Sequence, residues 1–283
     1  MSVMTKMTGK KHHHIIIYAV CTLLGLLSLM PFWIMLVNST RSTYEIQQHA
    51  ISIVPSGFLA NNIKVLLNKT FNPTTGFTNS IIISTSSTIL SVYFSTLTAY
   101  ALVAFIWRLR QPFFTLIMAV MMIPTQVISI GFYQFMYRIG MTNNFLALIL
   151  PTIAAPMTVF FMRQYMLASL QLALVDSARI DGSGEFHTFN RIILPIMKPA
   201  IATQAIFIFV SSWNNLFLPL ILLTNSDKYT LPIMVSLLRG DIYRTEYGAV
   251  YLGLALTVLP LFIIYFLLSK YIIAGVALGG VKG

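Results

Sequence analysis

Several stretches of about 20 residues in this chain are almost free of charge, which is the length an α-helix needs to cross the hydrocarbon layer of a bilayer. Backbone that leaves water must satisfy its own N–H and C=O groups, so apolar runs of that length commit the chain to helices. The sequence reads as an all-α, polytopic membrane protein. Six spans are expected at about 15–37, 79–107, 113–136, 145–166, 201–224 and 247–271, within a transmembrane domain over 15–272. A polar stretch, 1–14, precedes them, and 273–283 follows as a tail. The long connections are 38–78 and 225–246 on one side and 167–200 on the other. Composition agrees: 57 % of residues are hydrophobic, 9 % are charged and mean hydropathy is +0.80. The first run is too long for a signal-peptide core and lacks a small-residue cleavage site, so it is expected to remain as a helix.

The net charge of +11 does not point to nucleic acid, because the 18 bases are scattered among connections and form no single stripe. They report topology instead. With the N-terminus in the cytoplasm, the cytoplasmic side holds Lys6, Lys10, Lys11, Arg108, Arg110, Arg163, Arg179, Arg191, Lys198, Lys270 and Lys282. The opposite side holds Arg41, Lys64, Lys69, Arg138, Lys228, Arg239 and Arg244. The excess lies on the cytoplasmic side, which also places the C-terminus in the cytoplasm.

Several functions are disfavoured by what the chain lacks. Gly9-Lys10-Lys11 has neither the upstream glycine nor the following Ser or Thr of a P-loop, so no ATPase site is expected and the chain is not an enzyme. The acids and bases map to connections and helix ends, leaving no intramembrane carboxylate for proton relay. That favours a neutral, hydroxyl-rich solute over an ion-coupled one. No catalytic Ser/His/Asp or Cys/His set is present, and Cys21 is a single cysteine in the first span. His12 to His14 are adjacent, but at a terminus they read as polar residues, and no metal is expected.

Two features inside the spans stand out. Ser84, Ser87, Ser91, Ser95 and Thr98 recur at steps of three and four and share one helix face, which favours close helix packing over a solute lining. Trp213, Asn214 and Asn215 interrupt the fifth apolar run, and Pro219 cannot donate to the Asn215 carbonyl, so the polar spot is also a break in the helix ladder. These four residues read either as inter-helix glue or as part of a solute path.

The stretch 174–200 gathers three acids (Asp176, Asp181, Glu185) and three bases (Arg179, Arg191, Lys198) between two apolar runs. Leu170 to Ile180 reads as a short helix that Ser169 could cap, Asp181-Gly182-Ser183-Gly184 as its stop, and Glu185 to Ile193 as a second helix. Pro195 and Pro199 then lead into the fifth run. The order Asp176, Ser177, Ala178, Asp181, Gly182, Ser183, Phe189, Ile192, Leu194, Pro195, Pro199 resembles a pattern of bacterial binding-protein-dependent ABC importer permeases. That pattern is E-A-A-x-x-D-G-A, five residues, then F-x-x-I-x-L-P-x-x-x-P. Spacing is kept throughout, with Asp in place of the first Glu and Ser at two Ala positions. The stretch around Trp213 is similar to the W-N-x-F-x-x-P segment of sugar permeases, and 273–283 looks like the ending of maltose-type permeases.

The resemblance implies a permease subunit of a sugar importer in the bacterial inner membrane. It further implies a homologous second permease subunit, two ATP-binding subunits that carry ATP and Mg, and an extracytoplasmic solute-binding protein. No cofactor is implied on this chain. Asp176, Ser177, Ala178, Asp181, Gly182, Ser183, Phe189 and Pro195 would belong to a cytoplasmic coupling loop that meets the ATPase. Open alternatives are a permease for a polyol phosphate or an oligopeptide, and a membrane scaffold or sensor without transport.

Overall fold

The computed structural model describes residues 2–68, 71–239 and 245–280, with 2–15, 68, 125–126 and 267–280 described by their backbone alone. Of the segments expected from the sequence, residue 1, 69–70, 240–244 and the last three residues of the tail, 281–283, lie outside the described residues. Among the described residues the structure is helical and contains no strand. Four segments are long and apolar enough to cross a membrane: Ile16–Ser39, Pro73–Ala104, Leu146–Ser169 and Tyr247–Phe266. A fifth candidate is a bent pair, Glu185–Ile196 and Lys198–Trp213, whose axes differ by 80°.

Helix breaks follow from residue chemistry. The stretch expected at 113–136 falls on two helices, Arg110–Val120 and Thr125–Arg138, with Pro124 at the head of the second. The stretch expected at 201–224 divides into Lys198–Trp213 and Phe217–Leu222, and Asn214 and Asn215 sit at the division. Upstream, Pro73 takes the first helical position and Asn72 accepts from the Thr75 N–H at 3.2 Å, so the Pro73–Ala104 helix starts six residues before 79. The segment at 145–166 reads out as Leu146–Ile149, a 3₁₀ turn over Leu150–Ile153, and Pro156–Ser169.

The chain divides into two compact units. One comprises Met1–Phe71 and Val235–Val258. Within it, the turn after Ile16–Ser39 is tied by polar side chains. Ser42 and Glu45 form a reciprocal capping box, and Glu45 is held below the usual carboxylate range chiefly by the Ser42 backbone N–H. Arg41, 7 % exposed, donates to the carbonyls of His49 and Glu45 at 2.6 and 3.0 Å. Asn62 donates to the carbonyls of Ser39 and Arg41. A Cβ at Gly248 would collide with the Arg41 carbonyl and Asn62, which explains the glycine there.

The second unit comprises Asn72–Met234 and Leu259–Gly283. Its centre is the Pro73–Ala104 helix, which packs chiefly against Lys198–Trp213 and Pro156–Ser169. Small side chains make this possible: Ser84, Ser87, Ser91 and Ser95 are all buried along it. At one end, Asn79 donates to the carbonyls of Asp227 and Tyr229, and Ser80 accepts from the Leu231 N–H. At the other end lies the polar stretch 172–197.

Candidate functional site

The helix Leu172–Ile180 carries Val175 and Ala178 on its inward face, both buried, and Leu174, Asp176, Ser177 and Ile180 outward. Its end is dictated by Gly182. The Ser183 N–H reaches the Ala178 carbonyl at 2.9 Å and the Gly182 N–H reaches the Arg179 carbonyl at 3.0 Å, a Schellman arrangement. That closure requires φ of +80° at Gly182, where a side-chain residue is disfavoured. Asp181 is the last residue before the reversal, exposed, with no hydrogen bond to its carboxylate among the described residues. Ser169 does not cap this helix; its hydroxyl donates back to the Tyr165 carbonyl at the end of the preceding helix, and Gln171 occupies the cap position instead.

The corner is fastened by charges on both sides of it. Arg179 Nε donates to Glu185 Oε1 at 2.7 Å, and Nη1 meets Asp176 at 3.2 Å. Tyr100, near the end of Pro73–Ala104, donates to Glu185 Oε2 at 2.6 Å. The Arg179 guanidinium holds the Glu185 carboxyl below the usual range, and Glu185 in turn raises Arg179. Arg179 also lies over the Phe105 ring at 5.1 Å. Ser183 and Thr188 share a hydroxyl hydrogen bond of 2.8 Å, and Ser177 donates to the Ala173 carbonyl.

Phe189 is fully buried and anchors the second half of this module. Its ring is edge-on to Tyr93 at 5.5 Å and tilted against Tyr100 at 5.8 Å. Tyr93 and Tyr100 are seven residues apart, so they present one face of the long helix to the module. A π turn runs over Phe189–Ile193, ending two residues before Pro195, and Ile193, Met197 and Ala200 complete the core. Pro195 is exposed and borders a shallow apolar groove with Tyr93, Asn190 and Lys198. Asp176, Ser177, Ala178, Asp181, Gly182, Ser183 and Phe189 thus fall in one folded unit, with Pro195 at its edge. Sequence spacing missed Tyr100, Arg179 and Glu185 as its fasteners. The available signal was the seven-residue spacing of the two tyrosines on a helix otherwise lined by small residues.

Farther along the same helix is a cleft of about 560 Å³. Ser87 and Ser91 line one wall, Thr152 and Thr158 another, and Gln204, Ser211, Ser212 and Asn215 a third; among the described residues no charged one borders it. Asn215 and Pro219 face this cleft, and they do so because the helix breaks there. Trp213 does not. It is 1 % exposed, stacked on Phe209 and edge-on to Phe77, each at 5.7 Å. Asn214 is exposed and outside the cleft lining. Among the described residues no group of His, Cys, Asp and Glu could hold a metal.

Known proteins resemble the chain across nearly its whole length. The arabinooligosaccharides transport system permease protein AraQ of Halalkalibacterium halodurans is 35 % identical over 262 residues, covering 92 % of this chain and 93 % of that protein. The lactose transport system permease protein LacG of Rhizobium radiobacter is 31 % identical over 268 residues, covering 95 % and 96 %. In fold the chain matches a chain in the crystal structure of a bacterial ABC transporter involved in the import of the acidic polysaccharide alginate. The TM-score is 0.78 at 22 % identity, over 93 % of this chain and 98 % of that one. Residues 91–277 match the family described as binding-protein-dependent transport system inner membrane component, a region that takes in the 172–197 module, the Asn215 break and part of the serine wall, and the chain belongs to that family.

Proposed function

We propose that this multi-pass chain is the permease subunit of an ATP-driven importer that brings a sugar or oligosaccharide into the bacterial cytoplasm by alternating access. The observation that carries the mechanism is the 172–197 module. Its inner face is packed and ion-paired, while Leu174, Ile180 and Phe186 are 46, 86 and 69 % exposed beside a polar corner. A short helix with apolar residues turned outward fits a groove in a soluble partner. We assign that partner as an ATP-binding subunit, present twice in the assembly and carrying ATP and Mg. A homologous second permease completes the membrane part, and an extracytoplasmic solute-binding protein delivers the solute. Both chain ends and the module lie in the cytoplasm in this reading.

The module grips two walls of the cleft at once. Phe189 and Glu185 hold Tyr93 and Tyr100 of Pro73–Ala104, which also supplies Ser87 and Ser91, between about 3 and 20 Å farther along the helix at 1.5 Å per residue. Past the 80° bend, Lys198–Trp213 supplies Gln204, Ser211 and Ser212 to another wall. A shift of the module therefore moves both walls of a hydroxyl- and amide-lined space. Asn215 and Pro219 belong to the solute path, while Trp213 and Asn214 support the break that positions them. An uncharged lining suits a neutral polyhydroxy solute and offers no positive charge to a phosphate group.

The test is purification of the complex in mild detergent and measurement of ATP hydrolysis with the binding protein and a panel of neutral oligosaccharides. Hydrolysis stimulated by one sugar, and lost on Gly182→Val with the complex intact, is the expected result. Stimulation that persists in Gly182→Val would remove the module from the coupling route.

A further inference from the structure

The connection between Pro73–Ala104 and Arg110–Val120 carries a concentration of positive charge that the transport mechanism does not use. Arg108 and Arg110 lie in or beside it, and Arg163, on the Pro156–Ser169 helix, is within electrostatic reach of Arg110. Arg110 and Phe114 are one turn apart on one helix, and Phe160 and Arg163 are three residues apart on the other. The two phenylalanines stack at 6.4 Å, and the Arg163 guanidinium sits 4.1 Å from the Phe114 ring centre. The aromatic pair therefore holds the two helices, and with them the two arginines, side by side.

These cations lack counterions. Among the described residues none of the three forms an ion pair; of the acids of the adjacent module Asp176 and Glu185 are taken by Arg179, and Asp181 pairs with no base. Arg163 Nε is buried and has no hydrogen-bond partner. Two guanidiniums within electrostatic reach of each other, one with an unused buried donor, are unfavourable alone and become favourable around an anion. Phosphate accepts the paired N–H groups of guanidinium especially well.

The surroundings distinguish a lipid from a free anion. Arg163 lies six residues, or about 9 Å, from the end of the Leu146–Ser169 candidate span, which puts it closer to the edge of a hydrocarbon layer about 30 Å thick than to its middle. Ile106 and Leu109 in the connection are 97 and 60 % exposed, and Trp107 beside them is of the type that settles at headgroup level. Beyond Arg110, Phe113, Leu116 and Val120 continue an exposed apolar strip along the helix, directed away from the charges. A free phosphate would use the arginines and ignore the strip; a phospholipid uses both. We propose that Arg110 and Arg163, with Arg108 at the rim, bind the phosphate of an anionic phospholipid whose acyl chain lies along Phe113, Leu116 and Val120. Because Phe105 starts this connection and is covered by Arg179, the bound lipid braces the foot of the 172–197 module.

The experiment is native mass spectrometry of the purified complex after exchange into detergent with phosphatidylglycerol or phosphatidylcholine. Wild type should retain phosphatidylglycerol in preference to phosphatidylcholine, and R110Q/R163Q should lower that retention about tenfold or more, as expected for losing charge-assisted hydrogen bonds. R110Q alone, at a half-buried helix start, gives the same reading with an intermediate loss if the double variant does not assemble. Equal retention in wild type and R110Q, or equal retention of the two lipids, overturns the proposal. So does displacement of the lipid by millimolar inorganic phosphate that then remains bound, which would identify a free-anion site.

Discussion

The 172–197 module and the serine wall of the cleft both place polar groups inside an apolar chain, and they treat them in opposite ways. In the module Arg179, Glu185, Asp176 and Tyr100 form one connected network, Ser183 is joined to Thr188, and Tyr93 reaches Asn190 at 3.3 Å. Along the helix face that supplies the wall, the hydroxyls of Ser84, Ser87 and Ser95 are buried with no hydrogen-bond partner among the described residues, and of these Ser87 borders the cleft. A satisfied network resists change because each bond fixes its neighbours. Unpaired hydroxyls have nothing to break when a new partner arrives. In the proposed mechanism the difference separates a rigid handle from a surface that can exchange contacts as the helices move.

The module should therefore be the region that tolerates least. Gly182→Val places a β-branched residue at φ +80°, and a left-handed residue costs roughly 1–2 kcal/mol before β-branching is added. No atom lies within 4 Å of a Cβ there, so the cost is one of backbone and not of crowding. Uptake should be abolished while the protein still inserts, as read by radiolabelled solute and by quantified membrane protein. Phe189→Ala should come next, losing about 3–5 kcal/mol from a fully buried ring and lowering the thermal midpoint of the complex. Wild-type uptake in either variant would erase the contrast between handle and surface.

Arg179 and Glu185 sharpen it further. Both side chains are about a third or more exposed, so solvent screens their attraction and the effect is smaller. Glu185 has a folded pKa below its ordinary value, so its stabilisation is fully present above that ordinary value and disappears as pH falls through the lowered one. Coupled ATP hydrolysis should hold steady from neutrality down to about pH 5. Glu185→Gln should weaken coupling at neutral pH and make its remaining level insensitive to acid. Acid sensitivity between pH 7 and 5 that vanishes in this variant would place Glu185 outside such a pairing.

Local chemistry made much of this legible in the sequence. Apolar run lengths gave the helical membrane class, Asp181-Gly182 marked the reversal, the serine spacing marked one face, and Pro219 with the two asparagines marked a broken helix. What spacing could not reveal were partners far apart in the chain. Tyr100 and Glu185 are separated by 85 positions, and nothing in either neighbourhood names the other. The same holds for Trp213, which reads as polar company for Asn214 and Asn215 but belongs with Phe77 and Phe209. Neighbours on a broken helix can face different ways, and only the packing decides which enters the cleft.

The smallest effect in stability is the one most informative about the wall. Ser87 is 1 % exposed, borders the cleft and carries an unpaired hydroxyl, a condition that costs about 1–3 kcal/mol when the group is truly dry. Ser87→Ala removes that group with almost no change of shape, so the thermal midpoint should stay level or rise slightly. If the hydroxyl meets a passing solute, the same variant should raise KM or lower the uptake rate even as stability improves. The Ser84 hydroxyl is equally buried and unpaired but lies outside the cleft lining, so Ser84→Ala should leave uptake unchanged. Opposite signs for stability and transport at Ser87, with Ser84 silent in transport, distinguish a wall kept polar for solute from one kept small for packing. Equal behaviour at the two positions would make the whole stripe a helix-packing surface and move the solute path elsewhere.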